Sequence, residues 1–98
     1  MESHDIQDAV AGEIIDLANK VAEVNPDADT WDIADGILSG AVHWWLYANA
    51  PCGDRHCEDC ADVQTAELRM KTLHRLIDEM AQSSEYYHSP TDSNVARA

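Results

Sequence analysis

All three cysteines of this chain fall in one short stretch, PCGDRHCEDC, at Cys52, Cys57 and Cys60. Thiols this concentrated can do three kinds of chemistry. As thiolates they can hold zinc, whose structural sites take four Cys or His ligands. Cys52, Cys57 and Cys60 supply three, and the fourth falls to His56, or to His43 or His74 further along the chain. The neighbouring acids Asp54, Glu58, Asp59 and Asp62 attract a cation. As a Cys-x-x-Cys pair, Cys57 and Cys60 can cycle between dithiol and disulfide. A helix N-terminus promotes that chemistry by favouring the first thiolate, whereas Glu58, Asp59 and Asp62 oppose it. The spacing Cys-x4-Cys-x2-Cys also begins a plant-type ferredoxin pattern, but that cluster needs a fourth cysteine, which the chain lacks.

The Cys57–Cys60 pair resembles the Cys-x-x-Cys of the helical alkylhydroperoxidase-like family over those four residues. That family carries a histidine shortly after the second cysteine, where this chain has Gln64, so its thiol activity is not carried over. What remains is a structural elbow: reduced turn cysteines packed as small hydrophobes. The sequence favours the elbow, with zinc or thiol redox chemistry as the alternative. No other catalytic set is visible. There is no Ser-His-Asp arrangement, Gly-rich phosphate loop or His-Glu-x-x-His motif, and the reading is of a protein that is not an enzyme.

The elements that must position these cysteines are helical. Ile6, Val10, Ile14, Leu17, Val21 and Val24 recur every three or four residues, which predicts a helix over about 5–24. Asp5 is its expected N-cap, and Asn25-Pro26 its stop, since proline bars helical geometry in the residue before it. A second helix is predicted over about 30–49. Its later half, ILSGAVHWWLYA, is apolar almost all round, as in a helix buried between neighbours. Gly36 and Gly40 lie on one face and admit a close backbone approach. His43 then reads as a hydrogen-bonded core histidine, while Trp44, Trp45 and Tyr47 cannot all face one way, so one must reach the surface.

After a turn at Pro51 and Gly53, a third helix is predicted over about 57–87. Val63, Ala66, Met70, Leu73, Ile77, Met80, Ser84 and Tyr87 form a heptad seam. Glu67 stands four before Lys71, an ion-pair spacing, and His74 and His88 face solvent. The expected fold class is all-α: a small three-helix bundle forming one domain over 1–88, with an apolar central helix, a long third helix and a disordered tail over 89–98. Such helices hide their surface poorly, which favours a homodimer.

Charge sets the choice of partner. The net charge is −13, and residues 1–35 alone hold ten acids against Lys20. Direct nucleic-acid binding is excluded by the shortage of Lys and Arg, and no segment reads as membrane-spanning. The acidic, polar start MESHDIQDAV is not a signal peptide, so a soluble cytoplasmic protein is expected. Asp5, Asp8, Glu13, Asp16 and Glu23, with Asp27, Asp29, Asp32 and Asp35 beyond the turn, are the expected partner-binding residues. This pattern resembles that of nucleic-acid-mimicking inhibitors made by phages and mobile elements. It implies an inhibitor or adaptor that occupies a basic groove on a nucleic-acid-binding protein.

Overall fold

The structure is a computed structural model that describes residues 2–92. Its described residues form three α-helices and no strand: α1 (Ser3–Val24), α2 (Thr30–Ala48) and α3 (Ala66–Gln82), with a 3-10 turn at Ala61–Val63. The chain divides into two compact units, one ending at Ala48 and the other starting at Asn49, where the sequence suggested one domain over 1–88.

The first unit is a helical hairpin. Glu2, not Asp5, is the N-cap of α1, and its side chain makes no capping bond. Asp5 instead lies in the first turn, where its charge faces the positive helix end. At the other end Asn25 closes the helix twice, its backbone N–H and its Nδ2 both donating to the Val21 carbonyl at 3.1 and 3.0 Å. The chain then turns through Pro26. Asp29 Oδ1 accepts from the Trp31 N–H at 2.9 Å, which satisfies a free donor at the start of α2. The connection is short, and the two helices pack on each other, with Ile14, Leu17, Val21, Ile33, Ile37 and Ala41 lining the cleft between them.

This hairpin corrects the expectation of a buried central helix. No residue of α2 is buried, because within its unit α2 has only α1 to pack against. His43 is exposed rather than a core histidine. Trp44 and Tyr47 are 66% and 72% exposed, and their rings meet edge to face at 5.9 Å. Gly36 and Gly40 do not carry a close approach here. A Cβ on either would meet nothing within 4 Å, and both instead line an open cleft of about 460 Å³ between the helices.

The second unit holds the cysteines and α3. The third helix is shorter at both ends than the expected 57–87. Thr65 starts it: its backbone is extended, and its Oγ1 accepts from the Leu68 N–H at 3.1 Å. Residues 57–65 make successive turns, not α-helix. At the far end Ser83 Oγ donates to the Glu79 carbonyl, and Ser84 Oγ accepts from the Tyr86 N–H. Serine side chains that compete for backbone groups in this way favour turns over helix, so Ser84 and Tyr87 drop out of the seam. Leu73, 6% exposed, is the one buried residue described. Among the described residues α3 carries the ion pair Arg75–Glu79 at 3.1 Å, and Glu67 and Lys71 do not form one. Residues 89–92 form a turn in which Asp92 accepts from the Ser89 N–H; the rest of the expected tail, 93–98, lies outside the described residues.

Candidate functional site

The cysteine loop is built from short turns stacked one on the next. Gly53 comes directly after Cys52 with φ of +97°, a conformation that only glycine adopts without strain. Asp54 then organises the turn that leads to Cys57. Its Oδ1 accepts from the His56 N–H at 3.0 Å, and its carbonyl accepts from the Cys57 N–H at 3.1 Å. The Cys60 N–H donates to the Cys57 carbonyl, and the Val63 N–H to the Cys60 carbonyl, at 3.3 and 2.9 Å. Two side chains fasten this ladder of turns. Gln64 Nε2 donates to the Asp54 carbonyl at 2.8 Å, and Thr72 Oγ1, on α3, donates to the Asp62 carbonyl at 2.9 Å. Neither was marked as a positioning residue by sequence reasoning. The one signal available was a polar side chain at Gln64 where a cysteine-pair helix would have continued.

The outcome is that the three sulfurs meet. The Sγ atoms of Cys52, Cys57 and Cys60 all lie within 4.8 Å of one another, and all three cysteines are free thiols. Cys52 is exposed, and Cys57 and Cys60 are half-buried. His56, the expected fourth ligand, is exposed on the same loop and is not part of this group; nor is His74, and His43 belongs to the other unit.

The thiols are unequal. Cys57 is held below the ordinary cysteine value, first by the Cys60 backbone N–H, then by hydrogen bonds from the Cys60 and Cys52 thiols, against a desolvation that raises it. At Cys60 the Cys52 backbone acts to lower the value. The bond to the Cys57 sulfur, desolvation and the Cys52 charge together outweigh it and leave Cys60 raised. Cys57 is therefore the first of the two to lose its proton. The cause differs from the one the sequence suggested. A helix dipole fades beyond its first turn, and α3 begins only at Ala66, so the stabilisation is local hydrogen bonding.

The acidic residues divide between different surfaces. At about 100° per residue, Asp5, Asp16 and Glu23 fall within about 20° of one another on α1, with Glu13 and Asp8 on either side. This stripe lies away from Ile14, Leu17 and Val21, which face α2. All five carboxylates are exposed. His4 stands 3.7 Å from Asp5, and Lys20 lies on the stripe without an ion pair to it among the described residues. The other four do not join the stripe. Asp27 and Asp29 sit in the turn, Asp32 edges the cleft between α1 and α2, and Asp35 sits beside Leu38 and His43 on α2.

His74 and His88 are exposed, as expected; His88 Nδ1 lies 3.2 Å from Asp92 Oδ2. Among the described residues no helix is long and apolar enough to cross a membrane. Comparison with known proteins returns nothing to set beside these features: no family model matches the chain, and no curated protein or solved structure matches it significantly.

Proposed function

We propose that this chain is a small acidic helical interaction module that acts by binding, not by catalysis, as an inhibitor or adaptor of a basic, nucleic-acid-binding protein in the cytoplasm. One observation supports the reading: Asp5, Asp8, Glu13, Asp16 and Glu23 stand exposed along one face of α1, and none is tied to a Lys or Arg among the described residues. From Asp5 to Glu23 the stripe runs about 27 Å at a rise of about 1.5 Å per residue. Carboxylates so placed can occupy positions that a basic groove offers to phosphates. Their field accelerates encounter with a positive surface, and salt screens it over a Debye length of about 8–10 Å. The turn acids Asp27 and Asp29 extend the field; Asp32 and Asp35 lie on α2 and contribute less to it.

The proposal includes a homodimer with a helical-bundle core. Val10, Leu17, Leu38 and Trp44 of the hairpin are each at least half exposed, and a second copy would cover surface of this kind.

The test is affinity capture from the source cell with the wild-type chain and with the triple variant D8K, D16K, E23K. A basic nucleic-acid-binding protein should be retained at low salt, released as salt rises, and missed by the variant. Equal capture by both chains at low salt would dismiss the proposal. Sedimentation of the purified chain measures the dimer separately.

A further inference from the structure

We propose that Cys52, Cys57 and Cys60 bind a single Zn²⁺ ion as three thiolates, and that this ion is the fastening that holds the loop between α2 and α3 in shape. The sulfurs converge from separate turns to within 4.8 Å of one another. Tetrahedral zinc with bonds of about 2.3 Å sets its sulfurs about 3.8 Å apart, so side-chain adjustments of about 1 Å complete the site. The donor set selects the ion. Three sulfurs suit zinc and other thiophilic metals, whereas calcium and magnesium require oxygen.

The loop's own chemistry agrees. Asp54, Glu58, Asp59 and Asp62 share the cysteines' stretch of sequence, against Arg55 alone. Three thiolates among these acids repel one another unless a cation sits between them. Zinc binding displaces the thiol protons to solvent, so the ion binds more tightly as pH rises. Asp54 is already spent on the backbone: its Oδ1 accepts from His56, and its carbonyl from Cys57 and Gln64. Asp54 thereby shapes the turn that presents Cys57. The fourth position is taken by a donor from outside the three cysteines.

The second observation is the thinness of the packing around the loop. In the unit that begins at Asn49, Leu73 is the only residue described as buried. Chain lengths near this size fold with a metal, disulfides or a partner when their core is small. A connection this long with no helix beyond a single 3-10 turn is uncommon unless it has a functional or structural tie. The Gln64 and Thr72 hydrogen bonds fasten the loop at the Asp54 and Asp62 carbonyls, and the three converging sulfurs offer a further point at which to tie it.

The test uses the full chain, expressed with zinc in the medium and purified under reducing conditions without chelator. Elemental analysis should find close to one zinc per chain. The reduced metal-free protein should take up Co²⁺ with the intense visible bands of tetrahedral coordination and a sulfur-to-metal charge-transfer band, and Zn²⁺ should displace it. Each single change C52S, C57S or C60S should weaken Co²⁺ binding by more than the ~10–100-fold that loss of an outer-sphere partner costs. Amide exchange keeps the result interpretable even if a variant unfolds. In wild-type protein, zinc removal should speed exchange at residues 52–65 and leave the hairpin amides of α1 and α2 unchanged. A preparation without zinc, an octahedral cobalt spectrum, or a C52S chain that binds as tightly as wild type would each overturn the proposal.

Discussion

Gln64 Nε2 donates to the carbonyl of Asp54 at 2.8 Å, joining the two ends of the loop that carries Cys57 and Cys60. Removing the Gln64 amide leaves the exposed Asp54 carbonyl with the Cys57 N–H and solvent as donors, so only the net value of one hydrogen bond is lost. Gln64→Ala should destabilise the second unit by about 0.5–1.5 kcal/mol. It should also loosen Co²⁺ or Zn²⁺ binding by about 10–100-fold, as loss of an outer-sphere partner does. Gln64→Glu keeps the length but has no N–H to give, and should be no better than alanine. Metal titrations and melting curves equal to wild type for both variants would show that the bridge does not position the cysteines.

Gly53 gives a cleaner separation of backbone from packing. A Cβ there meets no atom within 4 Å, yet the φ of +97° is one that side chains resist. Any cost of Gly53→Ala is therefore conformational, about 1–2 kcal/mol by analogy with left-handed residues. The chain can escape that cost by reopening the turn, which carries Cys52 away from its partners. The expected signature is a loss of metal affinity larger than the loss of thermal stability. A proportionate fall in both would place the effect in global unfolding.

The thiols should react in a fixed order as pH rises. Hydrogen bonds depress Cys57, so its thiolate is populated at lower pH than an ordinary cysteine's; Cys60 is raised, so its thiolate appears later. Alkylation proceeds through the thiolate. Limiting iodoacetamide on reduced, metal-free protein, read by peptide mass spectrometry over a pH series, should label Cys57 before Cys60. In urea the two profiles should merge, because the difference is made by the folded loop. Profiles already identical in native protein would contradict the hydrogen-bond arrangement.

Thr65 should set where α3 begins. Its Oγ1 accepts from the Leu68 N–H, and loss of such a cap costs about 0.5–2 kcal/mol. Thr65→Ala should lower the melting temperature and fray the first turn of α3, seen as faster amide exchange at residues 66–69. Thr65→Ser or Thr65→Asp should restore both. Unchanged exchange in the alanine variant would show that the helix start is fixed elsewhere.

The helical class was legible because α1 repeats Ile6, Val10, Ile14, Leu17 and Val21 at helical spacing, and Asn25-Pro26 ends it; the structure closes α1 at Val24. The start of α3 was misread for a physical reason. Val63 and Ala66 continue the apolar seam, and apolar spacing does not distinguish a helix from the turns before it. The deciding group is the Thr65 hydroxyl, a cap signal hidden inside the periodic run. The hydropathy of α2 reads as burial, but α1 alone covers it within the hairpin, so no residue of α2 is buried and His43 is exposed. At the loop, the clustering of Cys52, Cys57 and Cys60 in sequence is matched by the convergence of their sulfurs. The partner of Gln64 was not legible: its polarity within the expected helix marks the position, but nothing in the residue types points to a backbone carbonyl ten residues away.

Three sulfurs within 4.8 Å of one another have an odd-number consequence. A two-electron oxidant can join any two of them and must strand the third beside the new bond. The stranded thiolate can attack that bond and become part of it, releasing another sulfur in turn. An oxidised loop would then be a shuttling set of three isomeric cross-links rather than a single locked one, with a nucleophilic sulfur always left over to attack a disulfide on another molecule and release one of its sulfurs as a thiolate.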